Sequence, residues 1–418
     1  MTAPTFSAVS ARGMPDGVVI MTLVLLLGIQ PITTDLYLPA LPNLQQDLGA
    51  SVAATQLTLS ALIISFGVAQ LLCGPLADRF GRRPVLLAGL LLYTLASVLS
   101  ALAPSIESLI AWRALQGAAM AAAVTCGRSI VRDLYEPAHG ARMLSRGLGG
   151  LGLIAFASPL LGGAIVHWFD WHAALLAPAL FGAGSLAFVA LRFRETISQC
   201  NRDATRLAPL LRNWRLIASH PTFRAYTLLL CMTYAGLFTL LAASSFVYIG
   251  VLGLSRLACG AVLGSFSLFY VGGTLICRKL LASYGLRATV AIGGGFSLAG
   301  GLLAALLSIA GAHHVTVWAA IAPIWLFMIG HGIHQPCAQA GAIGPFPDKA
   351  GTAASVAGFL MMLVAFGVGV SLGRALNGTV FPLTLGVGFF GVAVATVAWT
   401  VVQRHGEPLR GGAVAEAL

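Results

Sequence analysis

The 418-residue chain is 58% hydrophobic and 9% charged, with a formal net charge of +11 and a mean hydropathy of +0.89. Soluble globular chains carry about 25% charged residues, so a soluble fold is excluded and an all-α membrane protein is expected. The alternating ten-residue pattern of a transmembrane barrel is missing, and in so apolar a chain the positive charge reads as arginine kept on one membrane face, not as a nucleic-acid surface.

A bilayer span needs about 20 apolar residues. On that rule twelve transmembrane helices are expected, near 18–42, 52–76, 84–103, 107–127, 144–167, 171–191, 222–250, 257–277, 288–310, 315–338, 351–372 and 379–402. The segment before them is short and polar, with Arg12 and Asp16, so no cleavable signal is expected.

The first span, VVIMTLVLLLGIQPITTDLYLPALP, carries Asp35. An aspartate at the centre of a bilayer helix costs about 2.5–3.5 kcal/mol, and such residues usually serve as proton or ion sites or line a wet cavity. At about 1.5 Å per residue Asp35 lies roughly 26 Å from Val18, so a solvated helix end is the competing reading. Gln30 and Tyr37 are candidates for a cavity wall, because polar groups in hydrocarbon need partners.

Between spans 2 and 3 the chain reads Gly74-Pro75-Leu76-Ala77-Asp78-Arg79-Phe80-Gly81-Arg82-Arg83-Pro84. Gly74 and Gly81 suit close approach and a turn at positive φ. Asp78 can cap a helix or pair with an arginine, and Arg79, Arg82 and Arg83 hold the loop on the cytoplasmic side. Span 4 carries Arg113, with Gln116 one turn on. Arginine stays charged in any surroundings, so Arg113 must face a cavity or a partner, and Asp35 is the candidate. Span 5 holds Gly152, Pro159, Gly162 and Gly163, a proline that kinks the helix among glycines that permit tight packing.

Arg192 to Pro221 is the longest polar stretch and is expected to be a cytoplasmic linker, 192–221, between two six-helix bundles, 1–191 and 222–418. Phe80-Gly81-Arg82-Arg83 is echoed by Tyr284-Gly285-Leu286-Arg287 at an offset of 204 residues, which suits two parallel repeats with a site between them. The same offset takes Asp35 to Thr239 and Arg113 to Val317, leaving the membrane charges in the first half. In the second half, Tyr234 and Phe238 on span 7, with Tyr248, offer aromatic surface. His331 and His334 on span 10 read as a polar cavity wall in preference to a proton relay. The seven cysteines are scattered, with no metal spacing. All but three of the 24 basic residues fall in segments that share one side if the N-terminus is cytoplasmic; the opposite loops hold Arg256 and Arg374. Both termini are therefore expected in the cytoplasm.

The loop Gly74–Pro84 resembles motif A of the major facilitator superfamily, GxLaDrxGrkxxl. Leu109 to Ala119 resembles motif B, lxxxRxxqGxgaa. Gly152 to Ile165 is similar to motif C of the drug:proton antiporters, gxxxGPxxGGxi, although Ser158 replaces a glycine and the first glycine lies further away. Thr34 to Pro42 and Arg128 to Tyr135 resemble the bicyclomycin/chloramphenicol-resistance (Bcr/CflA) subfamily.

The resemblance implies the major facilitator fold, two pseudo-symmetric six-helix bundles in a bacterial inner membrane, working by alternating access. It implies efflux of a small apolar or weakly polar drug-like substrate against protons, with no cofactor and with a monomer as the working unit. In that family the motif A loop latches the cytoplasmic side, here Gly74, Asp78, Arg79, Gly81, Arg82 and Arg83. The motif B arginine supports proton transfer at an acidic residue, which assigns proton coupling to Asp35 and Arg113. Gln30, Tyr37, Gln116, Tyr234, Phe238, His331 and His334 are then the expected substrate cavity. With no Walker A stretch, nucleotide is not expected to drive the cycle. A proton-coupled metabolite importer is the alternative; a membrane enzyme or receptor is remote, since paired carboxylates, an activated nucleophile and metal spacing are all missing from the spans.

Overall fold

The computed structural model describes residues 14–197, 199–311 and 315–406. Arg12 and Arg410, both used in the orientation argument, lie outside the described residues. Among the described residues every regular element is helical.

The chain begins with α1 (Asp16–Thr34), which breaks at Asp35–Tyr37 and resumes as a 3₁₀ turn (Leu38–Ala40) and α2 (Leu41–Asp47). The break has a local cause: Pro39 has no N–H for the Asp35 carbonyl and its ring crowds that turn, so Leu38 bonds the Asp35 carbonyl instead. There follow α3 (Val52–Phe80), α4 (Arg82–Ala101), α5 (Ile106–Leu134), α6 (Pro137–Trp168) and α7 (Trp171–Arg192). Ser51 caps α3, and a reciprocal Ser105/Ser108 box opens α5. The expected linker contains a helix of its own, α8 (Leu207–Ser219). Beyond it lie α9 (Pro221–Ser245), α10 (Arg256–Ala310), α11 (Val317–Ile343), α12 (Ala350–Ala375), α13 (Phe381–Thr396) and α14 (Val402–His405).

The polar residues 278–287 were expected to form a loop between spans 8 and 9, but helix runs on both sides of a single residue, Gly285, at φ 73°, ψ 179°. Gly81, its echo 204 residues earlier, joins α3 to α4 at φ 99°, ψ 155°. Both sites need the positive φ that glycine adopts without a Cβ clash. Among the described residues eleven helices are long and apolar enough to cross a membrane. Counting α10 as two stretches divided at Gly285 gives the expected twelve.

In the first set α1 packs on α5, α6 and α7, and α3 and α4 pack on α5. In the second, α9 packs on α11, α12 and α13, and α10 on α11 and α13. The two sets meet along α3 against α12 and α6 against α10.

Candidate functional site

The break in α1 organises the polar interior. Arg113 is fully buried on α5; one guanidinium nitrogen donates to Gln116 Oε1 at 2.8 Å and the other to the Thr33 carbonyl at 3.2 Å. Its guanidinium carbon lies 4.4 Å from the centre of the Tyr37 ring, a cation–π contact. Tyr37 in turn bonds Thr58 at 2.8 Å, Gln116 donates to Ser97 at 2.6 Å, and Thr33 meets the Tyr93 hydroxyl at 2.6 Å. A buried cation thus ties α1, α3, α4 and α5 together at the point where α1 loses its own ladder.

The expected pairing of Arg113 with Asp35 does not occur: the arginine holds the backbone two residues earlier, and no ion pair among the described residues includes Asp35. Arg113→Ala would strand the Thr33 carbonyl and the Gln116 amide in a dry interior. Each buried acceptor left without its donor costs about 1–3 kcal/mol. We expect a large loss of thermal stability in detergent for Arg113→Ala, and partial recovery with Arg113→Lys, which keeps the charge but not the fork.

Asp35 is half-buried, and its Oδ1 accepts from the Thr34 hydroxyl at 2.7 Å. It does not lie at a helix end exposed to solvent. Leu36, Tyr37, Leu38, Ala40 and Leu41 after it are all buried, and helix continues to Asp47. Across from it stands Tyr234 of α9, within electrostatic reach of Asp35 and beside the Gln30 side chain. The break therefore brings a carboxyl group near a phenol of the other set, with the Gln30 amide beside that phenol. Phe238, one turn along α9, packs at Gly369 of α12 near Ser60.

The two histidines share a helix face but not a neighbourhood. His331 meets Thr233 of α9 at 3.0 Å and the Tyr270 ring at 5.4 Å. His334 turns into α10, with Nε2 at 3.0 Å from the Val290 carbonyl and the other nitrogen at 3.5 Å from Ser297. Both are buried inside the second set. Tyr37 and Gln116, expected to line a cavity, are enclosed around Arg113, and Tyr248 packs by Phe266.

The motif C glycines sit where helices touch backbone to backbone. A Cβ on Gly162 would collide with the Leu36 carbonyl at the α1 break, whereas one on Gly163 would lie 2.6 Å from the Arg256 carbonyl and 3.2 Å from Gly260 Cα on α10. The kinked turn at Pro159 presses its carbonyl on Gly260. Gly152 is different, with only Val271 at 4.0 Å. Arg256 closes this end of the seam: Nε donates to Asn43 at 3.0 Å, and Nη1 lies 3.4 Å from the carbonyl of Val166 in the last turn of α6. A cation there complements the unpaired carbonyls of the helix terminus. Ser245 donates to the Leu38 carbonyl at 2.6 Å, and Gln56 donates to the Ala242 carbonyl. These contacts all lie toward the end of the bundle remote from the termini; the first half of α6 instead leans on α1, with Gly147 and Gly150 against Leu23 and Val24.

At the terminal end, the loop at Gly81 is locked by ion pairs. Arg82 is buried and bonds Asp78 at 2.7 Å and Asp133 at 2.9 Å. Arg79 reaches Thr205 at 2.5 Å, Arg83 reaches the Ala190 carbonyl at 2.9 Å, and Gly74 lies beside Thr125. Glu195, unremarked in the sequence, accepts from the backbone N–H groups of Arg82, Arg83, Thr196 and Ile197 at 2.9–3.0 Å. Two of those donors are the unpaired first amides of α4, where an anion is favoured. The strap after α7 and the loop together border a polar cavity of about 300 Å³.

Burial opposes the charge of Glu195, but the four backbone donors outweigh it and hold its carboxyl below the usual glutamate range. A depressed value adds stability above the unfolded range near ~4.3 and loses it as pH falls through the docked carboxyl's own value. A spin label on Cys200, the exposed cysteine in the strap, is expected to stay ordered at neutral pH and to loosen only below about pH 4. Glu195→Gln should loosen it at neutral pH by about 1–2 kcal/mol, modest because the carboxylate is partly solvated, and should remove the pH dependence.

The chain matches the Major Facilitator Superfamily over residues 23–370. It is 29% identical over 375 residues to multidrug resistance protein D of Escherichia coli (strain K12), covering 86% of this chain and 89% of that protein. It is 31% identical to a chloramphenicol resistance protein of Pseudomonas aeruginosa, over 77% of this chain and 75% of the other. A bicyclomycin resistance protein homolog of Haemophilus influenzae is 28% identical, with 85% and 87% covered. Among solved structures the fold is similar to a bacterial homolog of the human lysosomal transporter Spinster, in an inward-facing and occupied conformation. That likeness has a TM-score of 0.72 at 15% identity and covers 96% of this chain and 98% of the other.

Proposed function

Because the chain belongs to the Major Facilitator Superfamily, we propose a cycle in which residues 1–191 and 222–418 rock about the break in α1. The protein is a multi-pass transporter of the bacterial inner membrane, not an enzyme, and it exports drug-like small molecules. Taking the basic residues as cytoplasmic puts both termini inside. The seam at Gly163, Arg256 and Ser245 then lies on the outer side, and the described arrangement is the one closed outward.

The observation that carries the coupling is Asp35 itself: a carboxyl group at the α1 break, within electrostatic reach of Tyr234 of the other set and with no basic partner among the described residues. Adding or removing a proton there changes the charge between the two sets at the point where they meet. Substrate enters from the cytoplasm and rests between Gln30, Tyr234 and Phe238; a proton taken by Asp35 from the outer side releases it and permits the return. Arg113 acts at one remove, by fixing the shape of the break that presents Asp35. We assign the inner-side latch to Asp78, Arg82 and Asp133 with the Glu195 strap, whose bonds in the described, outward-closed arrangement all lie within the first set, and His331 stands behind Tyr270 as second-half polar wall. The substrate is small and apolar or weakly polar, and the working unit is a monomer. One charge moving through 100 mV is worth about 2.3 kcal/mol, roughly a 50-fold gradient.

Everted vesicles test the direction and the coupling together. With an acidic lumen they should accumulate substrate, and adding substrate should alkalinise the lumen. Uptake confined to right-side-out cells overturns the reading in favour of import.

A further inference from the structure

The linker helix α8, LAPLLRNWRLIAS, separates apolar from polar residues around its axis. At 3.6 residues per turn, Leu207, Leu210, Leu211, Trp214 and Ile217 share one side and Arg212 and Arg215 another. The protein covers only part of the apolar side. Ile217 is buried, and Asn213 accepts from Lys349 at 3.0 Å, which docks one flank beside α9 and α12. The adjoining flank is bare: Leu207 is 65% and Leu211 50% exposed. Arg215 and Arg212 border that strip, and among the described residues neither has an ion-pair partner, while Asp203 is taken by Arg206 at 2.9 Å.

The location selects an occupant. Only His220 separates α8 from α9, a helix long and apolar enough to cross the membrane. That link at Ser219 and the bond of Asn213 to Lys349, beside the start of α12, hold α8 at two points near the level where the bilayer begins. We propose that α8 rests on the membrane surface and binds anionic phospholipid headgroups. Leu207 and Leu211 enter the boundary between headgroups and acyl chains, and Arg212 and Arg215 engage the phosphates. An amphipathic helix gains both from burying its apolar strip and from the negative potential of an anionic leaflet, and guanidinium groups suit phosphate geometry. Anchored in this way, the chain between the two helix sets is pinned at its α9 end, as the Glu195 bonds to the start of α4 pin the strap at the other end.

Amide hydrogen exchange on the full-length protein tests this, in nanodiscs of phosphatidylcholine with or without phosphatidylglycerol. The amides of 207–219 should exchange roughly tenfold or more slowly in the anionic discs, at about fivefold per arginine. Arg212→Gln with Arg215→Gln should erase that difference, and Leu207→Ser with Leu211→Ser should erase it too. Unchanged exchange in the α4 amides and an unchanged melting midpoint show that each variant is folded. Equal exchange of α8 in the two lipids overturns the proposal. Protection produced by inorganic phosphate in phosphatidylcholine discs also overturns it, since that would mark a phosphate site and not a lipid surface.

Discussion

Asp35→Asn is expected to stop uphill export of a neutral drug, lowering the gradient-driven rate by about 100-fold or more in proteoliposomes. The substitution preserves shape and keeps an oxygen for the Thr34 hydroxyl, which now bonds Oδ1 at 2.7 Å. The break at Pro39 and the Arg113 bond to the Thr33 carbonyl do not depend on the carboxyl group, so folding should be unaffected. What is lost is the capacity to change charge opposite Tyr234. Exchange of labelled for unlabelled drug across the membrane needs no net proton movement and should survive. A neutral substrate is required because the membrane potential, negative inside, acts directly on a cation and would add a force unrelated to the proton. A variant that pumps the neutral drug uphill at the wild-type rate removes Asp35 from the mechanism.

Gly163→Val is expected to hold the outer end of the seam open. Its Cβ would sit 2.6 Å from the Arg256 backbone oxygen and 3.2 Å from Gly260 Cα, and neither obstacle can move by changing rotamer. Forcing extra atoms into such a contact costs about 1–3 kcal/mol, sometimes more. The cost falls only on the arrangement in which α6 touches α10, so it shifts that equilibrium by about 5- to 150-fold. A cysteine placed near Asn43 should then react faster with an impermeant thiol reagent added from outside, and transport should fall in parallel. Two neighbours act as controls. Gly152→Val has open space up to Val271 at 4.0 Å and should change accessibility by less than about twofold. Gly162→Val strikes Leu36 within the first set, so it should lower thermal stability in every conformation. If Gly163→Val behaves like Gly152→Val, the seam is not the gate.

How much of this was readable beforehand depended on range. Apolar length placed the spans, and the echo of Gly81 at Gly285, read as a sign of repeats, turns out to mark a shared positive φ. Arg113 was legible as a buried cation because arginine cannot shed its charge. Its partner was not. Asp35 was the one carboxyl in view, but sequence does not register that Pro39 would free backbone carbonyls at the break and that one of them would satisfy the guanidinium. His331 and His334 were placed together by helical spacing, yet packing turns one toward α9 and the other into α10. Glu195 went unnoticed because two of its four donors, the amides of Arg82 and Arg83, are more than a hundred positions away. An acidic residue embedded in Arg192-Phe193-Arg194-Glu195 was the available clue.

The joints at Gly81 and Gly285 also bear on how the protein is made. Adjacent Cα atoms are about 3.8 Å apart, so a one-residue joint leaves no slack for one helix to settle in lipid while its successor waits elsewhere. The helices flanking each glycine must enter the bilayer together, as paired hairpins, with Arg82, Arg83 and Arg287 stopping the bend at the membrane face. Residues inserted at either glycine would supply that slack and uncouple the two insertions, as the longer chain between α7 and α8 already does for its neighbours.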